Sequence, residues 1–167
     1  MVSIWSIIRK IMTPDNTIKE KFKLSATCSL YLVKENKVLM LLRSNTGFLD
    51  GHYGLVAGKL EDGETFREAM VREAKEEANL DLLLGDLEIA HVMHRNQYFK
   101  DGYRERIDMY FTTDKWDGEI KNMEPEKHGS VEWFDLSSMP LNTIPYNIQA
   151  IECILNNKLY SEIGFEH

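Results

Sequence analysis

Cysteine is almost missing from this chain, with Cys28 and Cys153 the only two in 167 residues. That excludes a disulfide framework, and no Cys-x-x-Cys pair or Cys/His cluster suggests a zinc site. One thiol falls in a predicted strand and one in a predicted helix, so both are expected to stay reduced, as in a cytoplasmic protein. Positive charge is also short: 20 Lys and Arg stand against 27 Asp and Glu, a net charge of −7. The balance argues against stable nucleic acid binding, which needs a basic face. It leaves room for a nucleotide as a small-molecule substrate, because a bound metal inverts the local sign of charge. Long apolar runs are lacking too. Ile4, Ile7, Ile8 and Ile11 follow helical spacing, but the run is too short to span a bilayer and has neither a basic start nor a small-residue cleavage site. No membrane association is expected. Residues 1–21 read as an amphipathic helix and lead-in that packs on the body or on a second subunit, which would make a homodimer. No repeat or linker interrupts the chain, and 43% hydrophobic content suits one domain over residues 1–167.

What is present is a β-rich order of elements with two helices. Residues 24–33 (LSATCSLYLV) predict a buried strand, a tight turn over 34–37, and a second strand over 38–43. Gly47, Asp50 and Gly51 make residues 44–52 a loop, and 53–56 a short strand. Residues 87–99 and 104–113 form two strands around Lys100-Asp101-Gly102-Tyr103, a hairpin signal. In the second of these, Ile107, Met109 and Phe111 alternate with Arg106, Asp108 and Tyr110, which predicts one buried and one polar face. A final short strand is expected over 131–134 and a closing helix over 145–158. Together these give an α/β fold.

The most informative stretch lies between Gly58 and Leu80. It reads Gly58-x5-Glu64-x7-Arg72-Glu73-Ala74-x-Glu76-Glu77-x-Asn79-Leu80. Thr65-Phe66-Arg67-Glu68 is a capping signature, so a helix starts there. Met70, Val71, Ala74 and Ala78 form its apolar flank. On a helix advancing about 100° per residue, Glu73, Glu76 and Glu77 share a sector of roughly 100°. Packing gives no reason to gather three carboxylates that repel one another. A hard divalent cation removes the conflict, since Mg²⁺ prefers carboxylate and water oxygens.

The stretch resembles the signature of the Nudix hydrolases, Gly-x5-Glu-x7-Arg-Glu-(apolar)-x-Glu-Glu-x-Gly-(apolar). It departs at Asn79, where the family has glycine, and asparagine is the usual second choice for a left-handed helix end. Val56-Ala57-Gly58 also stands where the family often reads Pro-Gly-Gly. The resemblance covers 23 of 167 residues and implies an α/β/α sandwich with a mixed β-sheet. It implies a pyrophosphohydrolase that cleaves a nucleoside diphosphate linked to a further group, X, with Mg²⁺ as cofactor and Mn²⁺ as its alternative. By position, Glu73, Glu76 and Glu77 are the expected metal ligands, with Glu73 either ligand or base, and the Ala57 carbonyl is a further ligand. Arg72 and Glu64 are expected to support them, because a guanidinium can hold a carboxylate in a fork. A later-loop acid often completes such sites; Glu126 is the candidate, with Glu124 second.

For the substrate, Arg43 can pair with a phosphate, and Arg95 and Tyr98 lie on the strand where family members contact the base or X. The bland readings of Tyr98 as a core or rim aromatic, and of Glu126 as a solvated residue, stand beside these. His91 and His94 point to opposite faces of a strand, and His52 and His128 fall in loops with no role assigned. A (deoxy)nucleoside triphosphate giving monophosphate and pyrophosphate is the expected substrate. ADP-ribose, a nucleotide sugar or a dinucleoside polyphosphate is the alternative, and a non-catalytic nucleotide-binding module of the same fold is the competing class.

Overall fold

A computed structural model describes residues 24–99 and 102–165, with the backbone alone for 98–99 and 102–103. The predicted helix of residues 1–21, with its isoleucine stripe, lies outside them. So do Lys100 and Asp101 of the predicted hairpin turn.

Two sheets form the middle of the molecule. The first runs β5-β1-β7-β6-β9, built from Val56–Lys59, Ser25–Leu30, Gly102–Thr112, Glu88–Phe99 and Tyr160–Ile163. It is mixed: β1 pairs β5 antiparallel and β7 parallel, while β6 pairs β7 antiparallel and β9 parallel. The second holds β2 (Val33–Lys34), β3 (Lys37–Arg43), β4 (Tyr53–Gly54) and β8 (His128–Asp135), with β3 pairing the other three. Helices α1 (Phe66–Ala78) and α2 (Pro145–Leu155) pack into separate cores. Strand alternation sorts the side chains between them. Leu39 and Leu41 of β3 join Met70, Ala74 and Ala78 of α1, whereas Val38 and Met40 join Ala150 and Ile151 of α2. Burying Met70 fully contributes about 1.5–3 kcal/mol. The result is an α/β/α sandwich.

Local signals fix several joints. Glu35 and Asn36 have φ of 51° and 61°, the pair of positive values that a two-residue hairpin needs to match strand twist. Thr65 caps α1 with both bonds of a capping box. At the other end Asn79 takes φ 58° and ψ 29°, and its side-chain amide donates to Glu119 O at 2.9 Å. Asn79→Gly would relieve the left-handed strain and lose that bond, two effects of about 1 kcal/mol each that offset. Asn79→Ala keeps the strain and loses the bond, so it should destabilise by about 1–2 kcal/mol. Urea melts of the two variants check this; an alanine variant as stable as the glycine variant would contradict it.

Three expectations are corrected. The strand at 131–134 is longer, His128–Asp135, and is not the last: β9 follows, parallel to β6. Helix α2 ends at Leu155, and Asn157 at φ 55° turns the chain toward β9. Phe111 on one face of β7 is 1% exposed, and the face carrying Asp108 and Tyr110, read from sequence as the polar one, is buried too, at 2% and 0%. It looks into the cavity between the two sheets and α2 rather than into solvent. No helix among the described residues is long and apolar enough to cross a membrane.

Candidate active site

Arg72 sits at the hub of the α1 carboxylates. Its Nε and Nη2 grip Glu64 at 2.7 and 3.0 Å, a two-point fork. Nη1 reaches Glu73 at 2.8 Å and Glu76 at 3.1 Å, and Nη2 also donates to the Lys59 carbonyl. One guanidinium therefore ties the loop before the helix to two carboxylates of its acidic face. The hydrogen bond from Arg72 lowers the pKa of Glu64 to about 2. Glu73 moves the other way: burial raises its pKa, Arg72 pulls it back in part, and the Glu77 charge pushes it up again.

Glu73 lies over Gly58. A Cβ at residue 58 would overlap the Glu73 carboxylate, so the glycine is set by close approach and not by turn geometry. Gly58→Ala should push the Glu73 carboxylate aside at a cost of about 1 kcal/mol, since the end of a flexible side chain can shift. Glu73→Ala in the same chain should return most of that loss, a non-additivity that a double-mutant melt would read directly.

Glu77 is 7% exposed. Its Oε2 accepts from the Ala57 backbone N–H at 3.0 Å, and its Oε1 lies 3.1 Å from His128 Nε2. Glu124 Oε2 is 3.7 Å from the same nitrogen, and one donor atom from each of Glu77, Glu124 and His128 fall within 4.8 Å of one another. Glu126, the first candidate for a later-loop acid, is exposed, and its backbone carbonyl accepts from Asn45. The neighbouring Glu124 is the acid that meets Glu77. The turn explains the swap: His128 N–H donates to Glu124 O at 2.9 Å, so residues 124 and 128 stack while 126 points away. His128, taken from sequence as a loop residue without a role, opens β8 and is 3% exposed. The four-residue spacing from Glu124 was the only signal for it.

A cavity of about 400 Å³ adjoins these groups. Ala57, Gly58 and Glu77 line it, and so do Arg43, Arg95 and Arg106. In a chain of net charge −7, this arginine lining suits an anionic ligand. Arg43 gives its Nε to Phe48 O and one Nη to Thr46 Oγ1, which commits part of its fork to its own loop. Arg95 is 4% exposed and bound to Asp108 at 2.7 and 3.3 Å, with Gln97 as a further partner. Its guanidinium stacks on Tyr146, 3.8 Å from the ring centre. Asp108 also accepts from Thr27 across the β1–β7 pairing. Tyr98 is in β6 opposite Tyr103, and its side chain lies outside the described residues. His91 and His94 do not meet: the first bonds Lys158 O and Ser161, the second Glu105.

The donor set on and beside α1 consists of carboxylate oxygens with one imidazole, held by bonds that leave further lone pairs on each carboxylate. Glu77 and Glu124 lie close enough to offer oxygens to one hard divalent cation, and Glu73 and Glu76, bound to Arg72, add carboxylates from the same helix. The negative charge they gather exceeds what Arg72 alone neutralises.

The NUDIX domain family matches residues 22–152 of the chain. The ADP-ribose pyrophosphatase of Methanocaldococcus jannaschii is 35% identical over 107 residues, covering 64% of this chain and 59% of that protein. The chain thus spans less than two thirds of this relative's length. The MutT NUDIX hydrolase from Burkholderia pseudomallei superposes with a TM-score of 0.69 at 22% identity, over 78% of this chain and 98% of the other. The NUDIX domain of Shewanella oneidensis NrtR, solved in complex with ADP ribose, gives 0.61 at 18% identity over 89% and 96%. At such identities the two structural likenesses concern the fold.

Proposed function

This chain belongs to the NUDIX domain family, and from that membership we propose that it is a Nudix pyrophosphohydrolase acting on a nucleoside diphosphate linked to a further group. The observation that carries the reading is the Arg72 hub, which gathers Glu64, Glu73 and Glu76 next to Glu77 at the wall of an arginine-lined cavity. Glu76 and Glu77 are the proposed metal ligands, together with the Ala57 carbonyl, and Glu73 serves as a ligand or as the base. Glu124 takes the place expected of Glu126 as the acid from a later loop. Mg²⁺ or Mn²⁺ held there would offset phosphate charge and lower the pKa of a bound water. Arg72 and Glu64 keep the carboxylates in fixed orientation. Arg43 and Arg106, on the cavity wall, suit the phosphates or the group beyond them.

ADP-ribose is the first substrate to test, because the 35% identical relative is an ADP-ribose pyrophosphatase. Water attack would then release AMP and ribose 5-phosphate. Triphosphates, expected from the sequence, come second. The purified chain should be incubated with Mg²⁺ and ADP-ribose, nucleotide sugars, dinucleoside polyphosphates or (d)NTPs, and the products separated by chromatography. Turnover of one class, lost on chelation, is the expected result. A folded protein that binds Mg²⁺ and turns over none of them would point to a binding module instead.

A further inference from the structure

His128 has one ring nitrogen in the site and one outside any hydrogen bond. Nε2 lies 3.1 Å from Glu77 Oε1, a hydrogen-bond distance, and 3.7 Å from Glu124 Oε2, which is beyond one. Nδ1 is buried and has no hydrogen-bond partner among the described residues. That asymmetry separates two roles. A histidine that ligates a metal through Nε2 carries its proton on Nδ1 and almost always donates it to a carboxylate, a carbonyl or water. Here such a proton would be buried with no acceptor, and a buried unmet donor is costly. A proton on Nε2 instead meets Glu77; both tautomers leave Nδ1 unmet, but the other one also sets the Nε2 lone pair against Glu77 Oε1.

We propose that His128 is a positioning residue, which donates Nε2–H to Glu77 and does not itself bind the metal. With Ala57 N–H on Oε2 and His128 on Oε1, both oxygens of Glu77 are held from the protein side. Each keeps a lone pair for a cation. The backbone of His128 is itself fixed, since its carbonyl accepts from Asn122 Nδ2 at 2.6 Å and its N–H bonds Glu124 O. Residue 128 also sits where the β3–β8 register slips: Arg43 pairs with His128 while Leu42 pairs with Ser130. His128 thus enters β8 at an irregular step, with its ring against Glu77 of α1. This inference rests on the reading of Glu77 as a metal-binding carboxylate.

The tautomer can be read by long-range ¹⁵N–¹H NMR of the ¹⁵N-histidine-labelled, metal-free full chain. A proton on Nε2 of His128 is expected, and a proton on Nδ1 overturns the proposal whether or not any variant folds. Mn²⁺ affinity, followed by the EPR signal of the free ion in the absence of substrate, supplies the functional arm. His128→Leu should weaken Mn²⁺ about 10–100-fold, the scale for losing a group that orients a ligand. His128→Gln, whose side-chain amide can replace the Nε2 donor, should restore most of the affinity. Wild-type affinity in a folded His128→Leu variant, or no rescue by glutamine, overturns the role. Glu77→Gln separates this failure from that of the underlying reading: if Mn²⁺ affinity is unchanged in Glu77→Gln, Glu77 is not a ligand at all.

Discussion

Glu77→Gln is expected to lower kcat by about 10²–10³-fold, the scale for removing one preorganised charged or polar group from an active site. The melting temperature should move by no more than about 3 °C. The two halves of this expectation have separate causes. Glutamine keeps the volume of glutamate, so the packing of a residue only 7% exposed is preserved. Its carbonyl oxygen can still accept from Ala57 N–H, which Glu77 Oε2 does at 3.0 Å, while its amide group faces His128 Nε2 and is satisfied once the ring moves its proton to Nδ1, at a cost of about 1 kcal/mol. Removing one negative charge from a helix face shared with Glu73 and Glu76 also relieves repulsion. What is lost is the anionic oxygen that a divalent cation needs. Steady-state rates with the best substrate of the screen, beside a thermal melt, make the comparison. An unchanged rate would move the reaction away from this carboxylate.

The second large effect concerns stability. Asp108→Ala should destabilise the fold by about 3–5 kcal/mol, because it leaves Arg95 charged, buried and without its main partner. Both side chains are nearly inaccessible, 4% and 2% exposed, so Arg95 would lose its charged partner in a poorly solvated setting. Asp108 also accepts from Thr27, and that hydroxyl loses its acceptor as well. Against a total stability of about 5–15 kcal/mol for a domain this is a large share. The pair itself contributes much less than its disruption costs. Arg95→Met combined with Asp108→Leu should lie close to wild type, since apolar replacement of a whole buried pair is often neutral. Urea denaturation of the singles and the double tests both statements. A cost below about 1 kcal/mol for Asp108→Ala would mean that solvent reaches Arg95.

These two residues also show where reading the sequence succeeds and where it stops. The carboxylate helix was legible because its information is local: a capping Thr65, an apolar flank, a left-handed Asn79 and acids at fixed offsets are all visible within 23 residues. The α/β/α sandwich around it followed from the order of strands and helices and from the family resemblance. Alternation, however, tells which residues share a face and not what covers that face. Arg106 and Asp108 look like a solvent face until α2 and the second sheet close over them, and Thr27 meets Asp108 across 81 positions. Strand β9 was missed for a related reason. Its four residues carry weak alternation, and only pairing with β6, some 68 positions earlier (Tyr160 with Val92), gives them a sheet. That Glu124 and not Glu126 lies by Glu77 turns on a single bend, whose backbone bond between His128 and Glu124 decides which side chain faces inward.

The overlap between Gly58 and Glu73 has a consequence for how such a sequence can change over time. A side chain at 58 and a full-length acid at 73 compete for the same volume, so a change at one site alters what the other can hold. A lineage that lost the glycine first would pass through an ancestor with its Glu73 carboxylate displaced. One that first shortened residue 73 would open the space but would already have given up that carboxylate. The two positions, 15 apart in the chain, are thus constrained as a pair.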